Sequence, residues 1–193
     1  ATLRRILTIL KTIVGQIDIL ETMTPLQFNS FRSFLESSSG FQSVQFRELE
    51  FALGYKRQSM MNQFPEGLHG RSQLIERYHA PSLWDSFLHF LNGNGYPIPE
   101  EILNRDVTQP IKASDAVQKT LLDVYHNEPI INRLCERLVD LDEGLQEWRY
   151  RHVKMVSRTI GSKMGTGGSA GVKYLESTLK PMWPDLWEIR AKL

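Results

Sequence analysis

Apolar residues recur at steps of three and four along most of the chain. Leu3, Ile6, Leu7, Leu10, Ile13, Val14, Ile17 and Leu20 share one face of a predicted helix. Thr24-Pro25 marks the next start, a hydroxyl cap followed by proline at the first helical position. Leu26, Phe28, Phe31 and Leu35 continue that helix until Ser37-Ser38-Ser39-Gly40 stops it. Val44 to Leu53 predicts a third helix, ended by Gly54. The stretch from Tyr55 to Ala80, with Pro65, Gly67 and Gly70, reads as mostly loop. Pro81 to Leu91 predicts a helix closed by Asn92-Gly93-Asn94-Gly95, Pro97 to Pro110 is irregular, and Ser114 caps a helix to about His126.

The longest pattern follows. Ile131, Leu134, Leu138, Leu141, Leu145, Trp148, His152, Val156 and Ile160 form a continuous stripe. A helix from Pro129 to about Lys163 would be roughly 50 Å long at 1.5 Å per residue. Gly165-Thr166-Gly167-Gly168-Ser169-Ala170-Gly171 comes next, then a short helix and a tail rich in proline and tryptophan. No strand alternation and no internal repeat stands out. The expectation is an all-α fold: residues 1–193 as a single domain, a helical bundle with one long C-terminal helix.

Composition narrows the function classes. Hydrophobic residues at 41% and charged residues at 23% suit a packed globular domain rather than a disordered tail. A net charge of +1 offers no electrostatic footprint for nucleic acid or a membrane surface. No apolar run reaches the ~18 residues of a membrane span. Cys135 is the one cysteine, which leaves no intrachain disulfide and no multi-cysteine zinc site. Among Leu134 and Leu138 it reads as a small buried hydrophobe, and a reducing, cytoplasmic setting is expected. The chain opens on Ala1-Thr2 without methionine, directly before a helical pattern, so it is expected to be the C-terminal part of a longer polypeptide.

Three features carry candidate chemistry. His152 lies four residues after Trp148 and four before Val156, so it points inward with them. Two readings stand open: a core histidine bonded to a backbone carbonyl, or a proximal heme ligand aimed from a rigid helix into an apolar slot. His69, His79, His89 and His126 fall in loops or on outer faces, and no pair has zinc-site spacing. The glycine-rich segment is either a flexible connector or a place where backbone N–H groups closely approach a small anionic or zwitterionic ligand, with the Thr166 hydroxyl beside them. It lacks the Lys-Ser/Thr of a phosphate-binding P-loop, and it follows a helix, whereas a dinucleotide turn follows a strand. Phe28 and Arg32 share an otherwise apolar helical face. There Arg32 is either a snorkelling surface residue or, turned inward, a fork suited to a carboxylate. The basic run Arg149, Arg151, Lys154 and Arg158 reads as a solvated face that could also hold partners for heme propionates.

These stretches together resemble the tryptophan 2,3-dioxygenase family. The resemblance rests on Glu21-Thr22-Met23-Thr24-Pro25, on Phe28-x-x-Phe31-Arg32, and on Ser39-Gly40-Phe41-Gln42-Ser43-Val44-Gln45-Phe46-Arg47. It rests also on Trp148-Arg149-Tyr150-Arg151-His152-Val153 and on the glycine-rich segment itself. It runs from near the start to Trp187 and is less distinct between Tyr55 and Ala113.

The resemblance implies a heme b cofactor and O2 as co-substrate. The C2–C3 bond of the L-tryptophan indole opens, and both oxygen atoms enter N-formylkynurenine, the first step toward kynurenine. His152 matches the proximal iron ligand. Arg32 matches the partner of the substrate carboxylate, Phe28 and Leu35 line the indole side, and Thr166 matches a contact to the ammonium and carboxylate groups. Ser39 and Gly40 match the loop at the heme edge, Phe46 a heme-contacting aromatic, Arg47 a propionate partner, and Trp148 a proximal-side packing residue. The family's distal histidine has no counterpart in residues 1–193, so no catalytic acid–base residue is assigned and these residues alone are expected not to turn over tryptophan. A homotetramer with N-terminal segments crossing between subunits is implied as well. An indoleamine dioxygenase-like enzyme and a catalytically silent heme-binding module are the alternatives.

Overall fold

The computed structural model describes residues 8, 15, 18, 21–35, 43–165 and 171–193, with the backbone alone at Phe31, Leu35 and Tyr174. Its helices are α1 (Pro25–Leu35), α2 (Val44–Leu53), α3 (Gln58–Met61), α4 (Arg71–His79), α5 (Leu83–Gly93), α6 (Glu100–Leu103), α7 (Asp115–Asn127), α8 (Pro129–Ile160), α9 (Val172–Glu176) and α10 (Pro184–Glu188), followed by a 3-10 turn at Ile189–Lys192. No strand occurs among the described residues, in keeping with the all-α expectation. The helix expected over 3–20 falls largely outside them, although Thr8, Gly15, Asp18 and Glu21 are helical.

Two compact units partition the chain. One comprises Ala1–Phe41 and Arg137–Pro181; the other comprises Gln42–Glu136 and Met182–Leu193. In the second unit, the Ser43 hydroxyl caps α2 by accepting from Phe46 N–H at 3.3 Å. Gly54 ends α2 in the left-handed region at φ 106°, donating to the carbonyls of Glu50 and Phe51. A β-carbon there would sit 2.6 Å from Ile111 Cδ1, so both conformation and space require glycine.

The expected loop from Tyr55 to Ala80 is corrected: it holds α3 and α4. Gly70, at φ 86°, stands at the N-cap of α4 and no side chain caps it, so the usual start signal is missing. The helix forms because Leu74 and Tyr78, one turn apart, bury against Phe51, Met60, Met61 and Phe64. Lys56 is 1% exposed beneath its end, where Nζ donates to the carbonyls of Tyr78 (3.0 Å) and Ala80. Those carbonyls lack helical partners. Burial pushes the Lys56 ammonium down to about 8.

Ser82 and Asp85 form a capping box at the start of α5, one residue later than Pro81. The stretch expected to be irregular contains α6 and then Arg105, whose Nε donates to Asp85 Oδ1 at 2.7 Å. Burial alone would raise the Asp85 carboxyl, but hydrogen bonds from Arg105 and Ser82 outweigh it and hold the carboxyl below its usual range. The folded value is therefore depressed. The stabilisation is present above the unfolded carboxyl value near 4 and is lost as pH falls through the folded one. Asp85→Asn should cost about 3 kcal/mol at neutral pH, the scale for breaking a buried pair. Denaturant unfolding should show the deficit shrinking in acid; a deficit equal at every pH would refute this.

The tail closes this unit. Trp183 is fully buried, stacks on Trp84 with centroids 6.1 Å apart, and donates its indole N–H to the Leu53 carbonyl at 3.1 Å. Asp185 accepts from Ser114 N–H (2.7 Å) and Gln118 Nε2 (3.1 Å), tying α10 to the capped start of α7. Cys135 is buried and its thiol is pushed up to about 12, as a small core hydrophobe requires.

In the first unit, Thr24 and Gln27 cap α1 reciprocally: Gln27 N–H donates to Thr24 Oγ1 (3.2 Å) and Thr24 N–H to Gln27 Oε1 (2.9 Å). Pro25 then sits where no helical N–H is needed. The 32-residue α8 buries Leu138, Leu141, Leu145, Arg149, Val153 and Ile160. Trp148, His152 and Val156 follow a neighbouring, half-buried edge. A seven-residue step on a straight helix drifts by ~20°. Leu141 to Trp148 and Leu145 to His152 are such steps, which turn the end of the stripe off the core.

Candidate functional site

His152 is the one histidine drawn off the surface; His69, His79, His89 and His126 are exposed. It stands in the middle of the C-terminal half of α8, far from either frayed end. Its ring lies 5.3 Å from that of Trp148, tilted by 36°. Neither imidazole nitrogen carries a hydrogen bond among the described residues. Burial pushes the imidazole below its ordinary value, so the ring is neutral near neutral pH and keeps a lone pair for a metal. Among the described residues no backbone carbonyl partners the ring, as the core-histidine reading would require.

Phe28 is buried in α1, and Arg32 follows it by one turn. Arg32 is half-buried, with Nη2 donating to the carbonyl of Met164 at 2.7 Å. Among the described residues its Nε is buried without a partner. A buried guanidinium N–H left unpaired is costly, and a carboxylate is the natural acceptor for the fork. Leu35 ends α1, but its side chain lies outside the described residues, as do Ser39, Gly40 and Thr166 altogether. The flanks of the glycine-rich segment are described. Gly171 has φ 63° and ψ −133°, and a β-carbon on it would meet the Lys163 carbonyl oxygen at 2.6 Å. Phe46 and Arg47 belong to the other unit, where Arg47 is buried, ion-paired with Glu50 and placed over the Phe46 ring at 5.5 Å.

The basic run of α8 is not one solvated face. Arg149 is buried and donates to the Thr178 carbonyl at 3.3 Å. The signal was available in sequence, since Leu145, Arg149 and Val153 share the four-residue step of the core face. Arg151 binds both carboxylate oxygens of Glu21 (2.9 and 2.8 Å) and also Asp18. Its hydrogen bonds hold the Glu21 carboxyl below the usual range. Nothing in residue spacing announces that partnership. Lys154 lies over the Tyr150 ring and Arg158 is exposed.

Among the described residues no three His, Cys, Asp or Glu side chains converge on a possible metal site. A lone neutral imidazole suits an iron whose other positions a porphyrin fills, so the donor set fits a heme. No described helix is long and apolar enough to cross a membrane.

Comparison with known proteins identifies the family. The family model described as Tryptophan 2,3-dioxygenase matches residues 1–70 and 121–193. A protein of that name from Herpetosiphon aurantiacus is 64% identical over 192 residues, covering 100% of this chain and 74% of its own length. The protein so named from Anaeromyxobacter sp. (strain K) is 53% identical, covering 100% of this chain and 73% of the relative. That from Bacillus thuringiensis (strain Al Hakam) is 42% identical, covering 99% and 70%. Residues 71–120 of the chain lie outside the match to the family model, and within them lies much of the stretch where the sequence resemblance is least distinct. With both the family model and full-length relatives in agreement, the chain belongs to the tryptophan 2,3-dioxygenase family.

Proposed function

We propose that the enzyme opens the indole ring of L-tryptophan across C2–C3 with O2, giving N-formylkynurenine at a heme b held by His152. The observation that carries this reading is the half-buried His152 ring, which makes no hydrogen bond among the described residues and stands on a 32-residue helix where burial disfavours its charged form. When bound, the heme supplies a ferrous iron that activates O2.

The chain's own residues do the rest. His152 would hold the iron through an imidazole nitrogen, and Trp148 packs against its ring. Arg32 receives the substrate carboxylate on its unpartnered Nε side, and buried Phe28 beside it offers an apolar wall to the indole. Leu35, and Thr166 at the amino-acid end, complete the substrate set. Ser39 and Gly40 belong to the heme edge, and so do Phe46 and Arg47; a propionate would share a guanidinium that Glu50 already engages. Selectivity over plain indole follows from the charged end, because a buried fork left unpaired penalises a ligand without a carboxylate. The homotetramer belongs to the same proposal.

Titrating heme into the complete, heme-depleted enzyme, rather than into residues 1–193 alone, should raise a Soret band that saturates at one heme per chain, with tryptophan consumption rising in parallel. Full consumption without heme would overturn the reading. A saturated Soret band with tryptophan untouched would make the protein a carrier.

A further inference from the structure

Residues 162–164 are exposed, and Met164 has 65% of its surface in solvent, so side-chain packing does not place this stretch. Two backbone features do. The Met164 carbonyl accepts from Arg32 Nη2 at 2.7 Å, and the Lys163 carbonyl lies so close to Gly171 that only a residue without a β-carbon fits. Among the described residues the same guanidinium keeps its Nε buried and unpaired.

We propose that Arg32 is a two-partner clamp: through Nη2 it fixes the chain at Lys163–Gly165, and that bond in turn holds the guanidinium with its Nε side ready for a carboxylate. The second half rests on the carboxylate reading above; the first half does not. Nη2 carries two N–H groups, so one can hold Met164 while the other joins Nε in a bidentate pair. Holding the long side chain before the ligand arrives removes part of the ordering cost of binding. A lysine at this position has charge but no fork, and it cannot serve both partners.

Gly171 sets the other side of the clamp. At φ 63° and ψ −133° an alanine is strained, and its β-carbon would push the Lys163 carbonyl, hence the neighbouring Met164 carbonyl, away from Arg32. Gly171→Ala therefore disturbs the clamp with Arg32 itself intact.

The test is amide hydrogen exchange of the peptide spanning 161–165 in the heme-loaded enzyme without tryptophan. Arg32→Ala should speed exchange there by about tenfold, the loss of one charge-assisted hydrogen bond, while Arg32→Lys, able to serve only one partner at a time, should raise the KM for tryptophan. Unchanged exchange in Arg32→Ala with a raised KM for tryptophan overturns the clamp and leaves the carboxylate reading standing. Faster exchange with tryptophan use unaltered keeps the loop half of the clamp and overturns the carboxylate half. Should Arg32→Ala fail to fold, Gly171→Ala decides: it should speed the same exchange and raise KM several-fold for tryptophan but not for tryptamine. Faster exchange with the tryptophan KM unchanged would overturn the link between the two partners.

Discussion

His152→Ala is expected to leave the enzyme nearly free of heme after gel filtration, with tryptophan turnover at background. Loss of an outer-shell partner of a metal ligand already costs about 10–100-fold in affinity, and loss of the axial ligand itself should cost at least the upper end of that range. The fold should survive. His152 is half-buried at the edge of α8, and the face that packs, from Leu138 through Leu145 to Val153, does not include it. His152→Gly supplied with imidazole should regain a Soret band, which separates loss of a ligand from loss of structure. Stoichiometric heme with an unchanged five-coordinate ferrous spectrum in His152→Ala would remove this residue from the iron.

The second large effect is at the other end of the substrate. In the complete enzyme, Arg32→Ala should lower kcat/KM for tryptophan by about 1.5–3 kcal/mol, the usual worth of a charged hydrogen bond, which is tenfold or more. Tryptamine, which lacks the carboxylate, should lose much less. The contrast isolates the carboxylate from the apolar wall, because the proposed wall at Phe28 would serve both compounds equally. A loss of the same size on both substrates would mean that Arg32 acts through structure alone.

Where the chain uses local chemistry, the sequence was readable. The start of α1 follows from Thr24-Pro25, the start of α7 from Ser114, and the end of α2 from Gly54, each a cap that acts within a few residues. The length of α8 follows from a stripe too long to be anything else. Helix α4 was hidden because a positive-φ glycine replaces its cap and its stability comes from tertiary burial of two residues. At the site, His152 and Trp148 were legible as neighbours four residues apart. The partner of Arg32 was not: it is a main-chain carbonyl 132 residues away, and a carbonyl carries no residue identity. Arg149 was misplaced because alternating basic residues resemble a solvated face, whereas helical periodicity sets it with Leu145 and Val153. Ser39, Gly40 and Thr166 rest on family correspondence.

The central claim is that O2 is inserted into tryptophan in a heme-dependent step. Turnover under isotopically labelled O2, followed by mass spectrometry of the product, tests it most directly. Heme-replete enzyme should yield N-formylkynurenine carrying two labelled oxygen atoms, and heme-depleted enzyme should yield none. A product with one labelled atom and one from water, or equal product from heme-depleted enzyme, would contradict the account.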